Sequence, residues 1–187
     1  LYGGGWSLGG VSQGAYDPRY TAATLGAGNG NVYRLGGGGT SFFMGMDSTG
    51  TPLNNVPTGA ANSVRLGIDS GNTLPANGGN YQFVLGGTNN FGGATIIHRG
   101  LLARLGSAAS GGFSGLSNTA IDNFGALYLS SGATLQDGGV STNALTLHPG
   151  SSLTLDNNGG INAVMAAANV GDRIADSQAM RLTGAFL

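Results

Sequence analysis

Glycine occupies 38 of the 187 positions of this chain and falls between short apolar runs. That share is about a fifth, against roughly 7% in ordinary proteins. A residue without Cβ bends where others resist, and inside a helix it costs about 1 kcal/mol relative to alanine. Lys and Glu, two strong helix formers, are missing altogether. Such a chain reads as all-β with frequent turns. Apolar runs at 32–35, 41–44, 64–68, 81–85, 94–97 and 118–121 are separated by Gly, Asn or Ser clusters, the punctuation expected between strands.

Disorder is the other state that high glycine suggests. Disordered chains combine low hydrophobicity with high net charge, whereas this one is 40% apolar with a formal charge of −1. It has enough apolar surface to bury and too little charge to stay expanded. The same balance argues against nucleic acid as a partner, because binding phosphates needs a clustered basic stripe. Seven arginines scattered along the sequence do not make one. No apolar run reaches the length that spans a bilayer, so membrane insertion of this segment is not expected. With no cysteine, a disulfide framework is excluded.

An internal echo carries the fold expectation. Ala126, Leu127, Leu129, Gly132 and Leu135 recur 18 positions later as Ala144, Leu145, Leu147, Gly150 and Leu153. In Leu127-Tyr128-Leu129 the leucines share one strand face and the tyrosine takes the other. Glycine then permits a bend, and the next leucine opens a new inward-facing strand. A unit of roughly 18 to 22 residues of this kind reads as one coil of a parallel β-helix, a β-solenoid. In that register Leu127 lies over Leu145 and Leu135 over Leu153. A pair of hairpins in an antiparallel sandwich is the competing reading of the same alternation.

The segment 86–102 resembles the autotransporter-associated β-strand repeat, with Gly87, Asn89, Phe91, Gly93, Thr95, Ile97, Gly100 and Leu102 at its matching positions. His98 and Arg99 stand where that repeat usually carries small residues. The stretches 32–39, 172–177 and 182–184 resemble phrases of large proteins carrying this repeat. The resemblance implies a right-handed β-helix from the surface-exposed part of a long bacterial protein.

The whole chain, 1–187, is therefore expected to be one β-solenoid segment of a longer protein. Coils are less regular over 1–80, where Pro52, Asn54, Asn55 and Pro57 mark a loop near 47–62 leaving the stack, and regular over 81–187. Residues 163–170 offer a short helical turn. The segment from Ala179 begins a coil in the style of Ala144-Leu145-Thr146-Leu147 and stops inside it.

Candidate sites are few. Asp69, Asp122, Asp137 and Asp156 sit in turn-like contexts that can offer oxygens to Ca²⁺, but Asp and Asn favour turns for local reasons too. His98 and His148, the only histidines, are expected as exposed turn residues, too far apart for one metal. Asp137 with Asp156, and Asp172 with Asp176 flanking Arg173, are the carboxylate pairs a carbohydrate-active β-helix would need. Thr146 and Thr154 face outward if the leucines face inward, without the repeated array that ice binding needs. Trp6, Tyr16, Tyr20 and Tyr128 are aromatics able to stack on sugars.

No catalytic, cofactor or metal residue is assigned from these. The expected function is that of an extracellular structural or adhesive segment on the surface of, or secreted by, a Gram-negative bacterium. Its partners would be neighbouring coils, copies of itself, or cell-surface or carbohydrate ligands. A head-to-tail filament subunit is the first alternative and a carbohydrate-active β-helix enzyme the weaker one. Lacking lysine, the folded chain is also expected to resist trypsin-like proteases.

Overall fold

The computed structural model describes residues 19–36, 42–45, 47, 49, 51, 53–67, 82–89, 91–98, 102–105, 111–112, 121–129, 133–134, 145–155, 174 and 179–184. Among them are fifteen strands and no helix. A first sheet holds β1 (Arg19–Tyr20), β3 (Phe42–Met44), β5 (Gln82–Leu85), β8 (Leu102–Leu105), β11 (Ala126–Leu129) and β14 (Ser152–Leu155). The second holds β2 (Val32–Leu35), β4 (Ser63–Leu66), β7 (Thr95–Ile97), β10 (Ile121–Asn123), β13 (Leu145–Leu147) and β15 (Met180–Leu182). A small third sheet is built from β6 (Gly87–Thr88), β9 (Gly111–Gly112) and β12 (Ala133–Thr134).

Every strand pair in these sheets is parallel. Parallel neighbours cannot be joined by tight hairpins; each needs a crossover of a dozen residues or more. Here the crossover passes through the other sheets. From β7 onward the chain visits the second, first and third sheets in that order, then begins again at β10 and at β13. The antiparallel sandwich is excluded for the described strands.

Alternation decides what each strand buries. In β4 the pattern is half-buried, buried, half-buried, buried, with Val64 and Leu66 fully enclosed and Ser63 and Arg65 outside. Register then stacks like on like. Two inward columns of the second sheet run Tyr33, Val64, Thr95, Ile121, Leu145, Met180 and Leu35, Leu66, Ile97, Asn123, Leu147, Leu182. The first sheet contributes Phe42 over Phe83, whose rings lie 6.0 Å apart, and Leu127 and Leu129 beneath Leu153 and Leu155. Each leucine or phenylalanine enclosed this way contributes about 2 kcal/mol.

Two expectations change. Leu127 pairs with Leu153 and Ala103, and Leu145 with Ile121 and Met180, so Leu127 and Leu145 form no ladder. The echo of 18 residues relates a first-sheet strand to a second-sheet strand. Both follow one local grammar, strand, glycine bend, strand, because every corner needs it. Leu135 lies outside the described residues. True register partners are further apart than 18 to 22 in most pairs: 24 between Ile121 and Leu145, 26 between Leu127 and Leu153, and 41 between Phe42 and Phe83.

The loop near 47–62 does not leave the stack. Leu53 N–H donates to the Gly45 carbonyl at 2.8 Å, and Val56 is fully buried in the core. Its return requires Gly87, whose φ is +66° and where a Cβ would run into the Leu53 carbonyl. Of the run at 118–121 only Ile121 is among the described residues, and it opens the strand Ile121–Asn123. The helical turn expected at 163–170 lies outside the described residues. The coil expected from Ala179 does pair in the style of its counterpart: Leu145, Thr146 and Leu147 stand opposite Met180, Arg181 and Leu182.

Candidate functional site

One corner, where the second sheet gives way to the first, gathers polar and aromatic groups. His98, Phe124, His148 and Thr183 directly follow β7, β10, β13 and β15. Their backbone N–H groups donate to Leu66, Ile97, Asn123 and Leu147 carbonyls at 2.8 to 3.0 Å, continuing the sheet ladder past the strand ends. The four side chains therefore rise in one file.

Within that file the His148 imidazole lies flat on the Phe124 ring, centroids 3.8 Å apart and planes 8° from parallel. Asp122, outward on β10, places Oδ1 3.0 Å from His148 Nε2. A carboxylate only accepts, so Nε2 carries the proton. On the ring's other side Thr183 Oγ1 stands 3.5 Å from Nδ1 and donates to the Leu147 carbonyl at 3.0 Å. Carboxylate, imidazole and hydroxyl thus stand in the order of a hydrolase triad. Yet the Thr183 proton is directed at a carbonyl, and 3.5 Å is the outer limit of hydrogen bonding. The geometry clamps three successive strands of the second sheet and does not activate this hydroxyl.

Beneath the corner, Asn123 occupies an inward position filled elsewhere in its column by Leu or Ile. It is fully buried; its Oδ1 accepts from Gly125 N–H at 3.0 Å and its Nδ2 donates to the Ser152 carbonyl at 2.9 Å. A buried amide of this kind is tolerated because both ends are bonded. It ties the bend after β10 to the start of β14.

Several described side chains of segment 86–102 serve packing. Asn89 is buried, with Nδ2 donating to the Gly86 and Gly87 carbonyls, closing the bend it follows. Phe91 is fully buried and bridges to Gly59. Gly93 lies against Asn62 and Ser63 where a Cβ would collide, and Thr95 and Ile97 face inward. Gly100 lies outside the described residues.

The sequence-derived candidates distribute as follows. His98 and His148 share a corner but are separated by the Phe124 position, which keeps them from a common ion. Neither is an exposed turn residue: His148 is 23% exposed and bonded, and His98 is half-buried. Nor is Asp122 in a turn; it lies in β10. Thr146 and Thr154 do face outward, but from different sheets. Tyr20 and Tyr128 are half-buried on the first sheet. Asp69, Asp137, Asp156, Asp172, Asp176, Arg173, Trp6 and Tyr16 lie outside the described residues. Among those described, no three of His, Cys, Asp and Glu come together as a metal site.

Asp122 and His148, 26 positions apart, share no pattern that would join them in the sequence. Arg34 and Arg65, opposite each other on the second sheet, do carry a signal: Gly28, Asn31, Arg34, Leu35 and Gly36 recur 31 positions later as Gly59, Asn62, Arg65, Leu66 and Gly67. Fold and corner together define an all-β protein of stacked parallel sheets with bonded, packed corners. No protein-family model matches the chain, nor does any curated protein or solved structure.

Proposed function

We propose that this chain is a segment of a right-handed β-solenoid with a structural or adhesive role outside a Gram-negative cell, without catalysis of its own. The observation that carries the reading is the repeated passage through three all-parallel sheets in one order, with aliphatic side chains in register. Parallel crossovers of this kind are right-handed in almost every known case. The resemblance of 86–102 to the autotransporter-associated repeat supplies the surface location. The low charge and absence of lysine suit a chain exposed to proteases.

Removing one whole turn tests the architecture. Deleting residues 95–120 excises β7, β8 and β9 and leaves β4 facing β10 with Val64 and Leu66 above Ile121 and Asn123. That variant is expected to keep a β-type circular dichroism spectrum and a cooperative thermal transition. Deleting 95–107 breaks the order of sheets and is expected to unfold the chain. Equal behaviour of the two deletions would overturn the reading. The adhesive role is tested by retention of the purified protein on bacterial or host cell surfaces.

A second reading, the filament subunit, is favoured by large apolar side chains on the edge strands β14 and β15. Leu155, Met180 and Leu182 are 49%, 44% and 48% exposed, although they continue inward columns. A second copy stacking there would cover them in a head-to-tail contact that need not close. Monodisperse monomers by light scattering at high concentration would discard it.

A further inference from the structure

We draw no further inference here: the strongest candidate, the apolar patch of Leu155, Met180 and Leu182 on the edge strands β14 and β15 at one end of the stack, is an unpartnered face, and nothing in the structure shows what covers it.

Discussion

His148 rests face to face on Phe124 while its Nε2 hydrogen-bonds Asp122 one strand away, so one side chain joins β10 to β13 twice. Through Thr183 it also meets the residue that follows β15. We expect His148→Ala to destabilise the fold by about 1–2 kcal/mol, the sum of a part-exposed hydrogen bond to a carboxylate and a ring stack. Urea denaturation of the single variants Asp122→Ala and His148→Ala, with their double variant, measures the coupling. A coupling near zero would show that the pair contributes nothing.

Asn123 offers a sharper case. Leu35, Leu66, Ile97 and Leu147 hold the same inward column, so Asn123→Leu should suit the packing. It also strips partners from the Gly125 N–H and the Ser152 carbonyl. Leaving the buried Gly125 N–H unbonded costs about 1–3 kcal/mol, and losing the part-buried bond to Ser152 about 1 kcal/mol more, together above the gain of about 1–2 kcal/mol from added apolar burial. Net destabilisation on chemical denaturation is the expected outcome; a stabilised variant would mean water satisfies both groups.

Glycine substitutions should separate by surroundings. Gly87 and Gly150 both have positive φ, but a Cβ on Gly87 meets the Leu53 backbone while one on Gly150 meets open space. Gly150→Ala should therefore cost about 1–2 kcal/mol, the left-handed backbone penalty alone. Gly87→Ala should cost about 1–3 kcal/mol more, because it also displaces the returning loop. Thermal melting of the two variants decides it, and equal losses would contradict the contact.

Acid should loosen the Asp47 loop. The Thr49 hydroxyl, helped by the backbone N–H groups of Thr51 and Thr49, holds the Asp47 carboxyl below its ordinary value of 3.8. A lowered carboxyl contributes stability that is present above the unfolded value and lost as pH falls through the folded one. Amide exchange at Thr49 and Thr51 should therefore stay protected at neutral pH and lose protection, after correction for intrinsic rates, below pH 3.8. Unchanged protection at pH 2 would remove the carboxylate from the account. Asp47→Asn should flatten the pH response.

Much of the architecture was legible because it is local. Alternation in Val32–Leu35 and Leu145–Leu147 announces which side chains go inside, and the bend glycines announce where strands stop. The echo between Ala126 and Leu153 was misread for the same reason: neighbouring faces share a local pattern, and pattern alone does not say which strand lies above which. Likewise Asn54, Asn55 and Pro57 mark a stretch with no strand among its described residues, but Val56 in its middle reaches the core.

By itself, then, the sequence determines that this protein is all-β, turn-rich and built from short strands with one face inside. Those properties follow from side-chain period and backbone freedom, which act over a few residues. Tertiary structure alone decides the register. Loops of unequal length set Arg34 opposite Arg65, 31 positions on, and Asp122 beside His148, 26 positions on, so no single period places both. Contacts across such spans are chosen by how all the strands pack at once, and the features that could carry function here are all of that kind.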